Sequence, residues 1–220
     1  MCGRYSIATG CEELETRFHA RVADGLLTRR YNAAPSDPLP LILNTDKGHI
    51  VLARWGFTPE WAKDKKMTPM INARAESVAD KPFFRDAFRA RRCLVLADGF
   101  YEWKRAPSGR QPYRITLKDE APFAFAGLWS LFPGAAGEPV PSFAIVTTNA
   151  NERLAEIHNR MPVILPREHE EGWLDDGTKA ETLKAMLVPY AAAEMRCYPV
   201  STQVNRPQND SPDVMRPLGQ

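Results

Sequence analysis

Cys2 follows the initiator Met1 directly and precedes Gly3-Arg4-Tyr5, so loss of one residue would make it an N-terminal cysteine. That changes its chemistry. An internal cysteine offers a thiol with a pKa of about 8.5, whereas an N-terminal one adds an α-amine with a pKa of about 7.7–8.0, partly unprotonated near neutrality. The resulting 1,2-aminothiol can condense with an aldehyde through nitrogen and close through sulfur into a five-membered thiazolidine, or its thiolate alone can attack acyl carbon. An incidental cysteine on an N-terminal strand is the plain alternative, and Cys2 by itself does not choose between them.

The other cysteines, Cys11, Cys93 and Cys197, form no C-x-x-C pair, and no histidine stands at metal-ligand spacing from them. No structural zinc, no other metal and no cofactor are therefore expected. The opening MCGRYSIATG has no apolar signal core, and the longest apolar stretches are far too short to span a bilayer. A cytoplasmic location without a membrane partner is expected, and a disulfide framework is not. Cys93, inside the apolar run CLVLA, reads as a buried packing residue.

The scaffold that must hold Cys2 is β-rich. The 19 prolines limit long helices and favour short strands joined by ordered loops. Apolar runs at 39–44, 50–56, 93–97, 113–117, 123–129, 143–148 and 161–165 predict strands. Helical spacing predicts segments at 12–20, 80–90, 150–158 and 179–194, the last broken near Pro189. With 220 residues, 44% hydrophobic and 25% charged, one globular domain is expected, spanning 1–212, with 213–220 a poorly ordered polar tail. The net charge of +2 neither demands nor excludes a nucleic-acid partner.

Several strings lack amphipathic periodicity and instead pack polar, aromatic and Gly/Pro residues into short loop-like segments, where rigid scaffolds usually carry a site. They are RYNAAPSDPLP at 30–40, RWGFTPEWA at 54–62, INARAES at 71–77, ADGFYEWKR at 97–105 and IHNRMPVIL at 157–165. Together with MCGRY, QPYRI near 111, FAIVTTNA near 143 and YPVSTQVN near 198, they closely resemble the SOS-response-associated peptidase family, also described as abasic-site processing proteins. The match runs from Met1 to about Pro212.

The resemblance implies an α+β fold, a single compact domain with a distorted β-barrel-like core of mostly antiparallel strands and short peripheral helices. It implies a monomer that binds single-stranded DNA containing abasic sites and becomes nucleoid-associated when bound. It further implies loss of Met1 and trapping of the ring-opened lesion by Cys2 as a covalent thiazolidine. By position within the matching motifs the active residues are Cys2, Asn72, Glu102 and His158, with no departure at these four. The implied DNA contacts are Arg4, Arg74 and Arg160, with aromatic support from Trp55 and Trp61.

These residue types suit the chemistry. An abasic site exposes its aldehyde only after ring opening, and condensation then requires an unprotonated amine, loss of water and attack by sulfur. Glu102 can move protons at the amine and the ring oxygen, and His158 can donate to a sugar hydroxyl or departing water. Asn72 would orient the amine without adding charge. The plain readings are a solvated strand-end carboxylate for Glu102 and a carbonyl-capping, helix-end histidine for His158. DNA contacts would rest on phosphate neutralisation and base stacking, with weak sequence preference. Arg85, Arg89, Arg91 and Arg92 and the group Lys63, Lys65 and Lys66 are further phosphate candidates, or simply solvated faces. Trp103 and Trp129 read as core.

Three other classes compete. An N-terminal-nucleophile glutamine amidotransferase also begins Met-Cys-Gly but usually has an apolar residue where this chain has Arg4. A thiol peptidase would pair Cys2 with His158. A noncatalytic single-strand-binding module leaves Cys2, Asn72, Glu102 and His158 without a common purpose.

Overall fold

The computed structural model describes residues 2–23, 25, 27–62, 67–107, 109–133 and 139–219. In chain order its strands are β1 (Tyr5–Ile7), β2 (Arg21–Val22), β3 (Arg30–Ala33), β4 (Pro38–Leu43), β5 (Asp46–Trp55), β6 (Asn72–Arg74) and β7 (Arg92–Ala97). They continue with β8 (Gly99–Ala106), β9 (Gly109–Leu117), β10 (Phe123–Pro133), β11 (Pro139–Asn149), β12 (Arg160–Pro162), β13 (Ile164–Leu165) and β14 (Met195–Pro199).

Five of the seven expected apolar runs form the ring of a small barrel, in which β11, β10, β7, β4 and β5 pair in sequence and β5 returns to β11. The run at 113–117 falls in β9 of a second sheet, and that at 161–165 in β12 and β13. A closed ring with an odd number of strands cannot alternate direction all the way round, so at least one neighbouring pair must be parallel. That pair is β5 and β11, with Ser142 opposite Arg54 and Phe143 opposite Trp55. Closure removes the open edges that would otherwise invite pairing with another chain. At the β7–β10 seam Gly127 lies opposite Cys93, and a Cβ there would stand 2.6 Å from the Cys93 sulfur. Cys93 is thus a packing residue, as its apolar context implied.

A second sheet, ordered β14-β9-β8-β1-β3, packs on the barrel. Its Tyr5 enters the barrel core, edge-on to Trp55 at 5.2 Å and to Phe125 at 5.8 Å, while Phe100 meets Phe125 at 6.0 Å. All four rings are wholly buried, and burying each contributes roughly 1.5–3 kcal/mol. Both sheets share one core, which makes the chain a single α+β domain, as expected.

The helices are short and peripheral: α1 (Cys11–Phe18), α2 (Arg85–Ala90), α3 (Glu152–Ala155), α4 (Arg167–Leu174) and α5 (Ala180–Ala185). In α1, Leu14 and Phe18 lie one turn apart and are both buried. The helix expected over 150–158 shrinks to α3, which starts where the Asn151 side chain accepts from Leu154 N at 3.0 Å. No helix among the described residues is long and apolar enough to cross a membrane.

The expected disorder of 213–220 is corrected as far as Gly219. Val214 sits in a 3₁₀ turn (Pro212–Met215) and is fully buried with Tyr101, Val200 and Val204, while Pro217 bridges to Val200. Asp210 fastens this segment by accepting from Tyr31 N at 2.6 Å, Asn32 N at 2.8 Å and Arg30 Nε at 2.6 Å.

Candidate functional site

Cys2 is wholly buried where the two sheets meet. Its chain enters from the second sheet: β1 runs antiparallel to β8 with Tyr5 opposite Phe100, and Tyr101 N donates to Arg4 O at 3.0 Å. Continued past Arg4, that register brings Gly3 opposite Glu102. The Cys2 thiol approaches Arg4 O at 3.9 Å. Burial, and next the nearby Glu102 carboxylate, push the thiol far above its ordinary pKa. Met1 lies outside the described residues.

Asn72 arrives from the barrel side. It opens β6, which runs parallel to β11 with Asn72 opposite Ile145, and its Nδ2 donates to the Cys2 carbonyl at 2.8 Å. Its Oδ1 is buried and has no hydrogen-bond partner among the described residues. The residue before it is held as well, because Trp55 Nε1 donates to Ile71 O at 3.0 Å.

Glu102 projects from β8, which the sequence strings had placed in a loop-like segment. It is only 3% exposed, which corrects the reading as a solvated carboxylate. Burial raises its carboxyl pKa, and the nearby His158 imidazole is among the influences that oppose the rise. Glu102 and His158 line one cavity of about 560 Å³ with Trp103, Lys104, Arg105 and Arg110 from the β8–β9 hairpin and with residues 155–159.

His158 follows α3, and its backbone N–H donates to Leu154 O at 2.8 Å. Its Nδ1 accepts from Arg160 N at 3.0 Å, which assigns the proton of the neutral ring to Nε2. Rather than capping a helix with its side chain, the ring is fixed from behind by the start of β12. Here Arg160 pairs with Asn149 of β11.

The structure therefore brings Cys2, Asn72, Glu102 and His158 to one junction between two sheets. The DNA-contact candidates divide. Arg74 is exposed at the end of β6. Trp61 is 50% exposed and edge-on to Phe83. Arg4 is committed inward, donating to Asn32 Oδ1 at 2.8 Å, Val204 O at 2.7 Å and Asn205 O at 3.1 Å. Arg160 forks onto both oxygens of Glu76 and also donates to Asn149 Oδ1 at 2.9 Å and Thr147 O at 2.6 Å.

The expectation for Trp55 is corrected: it is 0% exposed, stacked on Phe143 at 6.2 Å, and has no free face for a base. Arg92 is likewise no phosphate contact, since its fully buried side chain donates to Trp173 O at 2.7 Å, Phe88 O at 3.0 Å and Asp175 O at 2.9 Å. Arg91 pairs with Glu60 at 3.0 Å. Trp103 is half-buried rather than core and donates to Asn205 Oδ1 at 2.7 Å. Lys63, Lys65 and Lys66 lie outside the described residues. Sequence reasoning passed over Glu76, although it sits in the INARAES string that supplied Asn72 and Arg74. Among the described residues no cluster of His, Cys, Asp or Glu could hold a metal ion.

A near-terminal cysteine held by an amide and close to a buried carboxylate that shares a cavity with an imidazole, on a five-stranded barrel with a second sheet, defines the class of site. The chain belongs to the SOS response associated peptidase family, whose model matches residues 1–207. It is 41% identical over 221 residues to the abasic site processing protein YoqW of Bacillus subtilis (strain 168), covering 98% of this chain and 99% of that one. The abasic site processing protein YedK of Escherichia coli (strain K12) is 32% identical over 194 residues, 86% of this chain and 85% of that one. A crystal structure of a Bacteroides thetaiotaomicron protein matches with a TM-score of 0.88 at 25% identity, covering 98% and 99% of the two chains.

Proposed function

We propose that this protein, once Met1 is removed, binds single-stranded DNA and captures abasic sites as a covalent thiazolidine on Cys2. The observation that carries the reading is the hydrogen bond from Asn72 to the Cys2 carbonyl, on a cysteine that lies near the buried Glu102, which in turn shares a cavity with the oriented His158. Kinship with proteins named for abasic site processing supports the substrate.

The steps balance with one water lost. The Cys2 amine adds to the aldehyde carbon of the opened sugar, and the carbinolamine expels water to give a Schiff base. The thiol then adds to the same carbon, its proton passes to the Schiff-base nitrogen, and the five-membered ring closes. Glu102, with its raised pKa, is suited to give a proton to departing oxygen and to take one from the thiol. His158 offers Nε2–H as a donor to the sugar hydroxyl or the departing water. In this reading the protein acts as a cytoplasmic monomer that associates with the nucleoid through DNA.

A thiol peptidase or a glutamine amidotransferase would instead need a thiolate on Cys2 at neutral pH. The peptidase in the family name fits a self-directed removal of Met1, or one shared with an aminopeptidase. The test compares crosslinking of abasic and undamaged single strands by the mature protein, by Cys2→Ala, and by a form with one extra residue before Cys2. Only the first should crosslink, and only to the abasic strand. Equal crosslinking by the extended form would refute the requirement for a free amine.

A further inference from the structure

The β8–β9 hairpin carries an arrangement that the four site residues do not use. Arg105 and Arg110 stand directly opposite each other in its antiparallel register, and both are exposed. Like charges in that position destabilise a hairpin. No ion pair neutralises either guanidinium among the described residues. Glu156, which also lines the cavity, lies 4.0 Å from the Lys104 ammonium. The two arginines line the same cavity as Glu102 and His158, so the uncompensated charge opens onto the reaction site rather than onto a remote surface.

We propose that Arg105 and Arg110 together clamp one backbone phosphate of the DNA on a single side of the lesion. This rests on the abasic-site reading above and adds a located anion subsite to it. Two planar guanidinium forks carried at opposed positions of adjacent strands suit a phosphate, which offers enough oxygens to accept from both. A bound phosphate would also relieve the repulsion between them. The hairpin would then fix the direction in which the strand leaves the cavity. Arg74 and Trp61 lie on other elements, so the far side of the lesion need not involve the hairpin.

The test uses full-length mature protein and two single strands bearing a tetrahydrofuran abasic analogue, which has no aldehyde and so binds without crosslinking, one extending only 5′ and one only 3′ of the lesion, in a titration at several salt concentrations. The double variant Arg105→Gln/Arg110→Gln should bind one of these strands more weakly. Its log–log salt slope should fall by about 0.7, the contribution of one phosphate on a single strand. The other strand should bind as it does to the native protein. Equal binding of both strands by variant and native protein would overturn the clamp, and so would equal weakening of both, which is diffuse attraction. Thermal stability should not drop in the variant, because the substitutions remove a like-charge pair. A fall in melting temperature would mean that the arginines serve the fold. Failure of the native protein to crosslink a strand with a true abasic site would instead count against the abasic-site reading, and the analogue titration still judges the clamp.

Discussion

Asn72 reaches across the junction of the two sheets to donate its side-chain amide to the Cys2 carbonyl at 2.8 Å. The contact fixes the backbone of a residue that, after loss of Met1, would otherwise be a freely rotating chain end. Fixing it sets where amine and thiol point relative to Glu102 and His158. The rest of the account depends on that orientation.

Asn72→Ala should slow crosslinking about 3–10-fold, the equivalent of a net hydrogen bond of roughly 0.5–1.5 kcal/mol. Asn72→Asp should be worse, since a carboxylate cannot donate to the carbonyl and adds negative charge beside Glu102. Single-turnover rates at saturating abasic DNA separate the two, and an Asp variant faster than the Ala variant would contradict the donor role.

Trp55 supports Asn72 from behind by donating to Ile71 O, so Trp55→Phe should act on chemistry rather than on DNA affinity. The expected outcome is unchanged dissociation of undamaged single strands together with slower crosslinking. Loss of affinity with unchanged rate would restore a base-stacking role for this ring.

Glu102→Gln should slow both formation and reversal of the adduct, because one proton carrier serves both directions of the same step, with about 10²–10⁴-fold as the usual scale. It should also stabilise the fold at neutral pH. Burial raises the folded carboxyl pKa above its unfolded value of about 4.3. A group shifted that way contributes its stability below the unfolded pKa and loses it as pH rises through the folded pKa. The melting-temperature difference between Glu102→Gln and native protein should therefore be positive at pH 7 and vanish below about pH 4. A variant less stable than native protein at pH 7 would contradict the buried, raised carboxyl.

Arg160 and Arg74 should part company. Arg160 is spent on Glu76, Asn149 and Thr147 while its backbone holds His158, so Arg160→Ala should cost stability, about 1–3 kcal/mol, and slow the chemistry. Arg160→Lys should rescue little, because an ammonium cannot make the two-oxygen contact to Glu76. Arg74→Ala should leave stability near native and lower the salt slope of single-strand binding by about 0.7. Denaturant melts and salt titrations of the same variants decide this, and matching behaviour of Arg74→Ala and Arg160→Ala would remove the distinction.

The barrel strands were legible because continuous apolar runs such as CLVLA and FAFAGLW are buried on both faces and need no alternation to be seen. Strands β6 and β8 were hidden for a different reason. Their pattern is interrupted by Asn72, Arg74 and Glu102, polar residues that break the apolar run a packed strand would show. Glu102 was read as a site residue but not as a buried one, since its shelter comes from the distant β1 and the 155–159 segment. Trp55 misled in the same way: Gly56 and Pro59 mark a loop, yet the preceding ring turns inward onto Phe143, a contact made by a strand nearly ninety positions on. The ordered tail escaped notice because a few isolated apolar residues, Val204 and Val214, find a pocket only once β8 and β3 are in place.

Intact-mass spectrometry of the mature protein, before and after incubation with an abasic single strand, bears most directly on the central claim. The account predicts a starting species without Met1 that converts to a species heavier by the DNA strand less one water, stable without borohydride and absent from Cys2→Ala. A protein that retains Met1 and still forms this adduct, or a Cys2→Ala variant that forms it unreduced, would contradict capture by an N-terminal aminothiol.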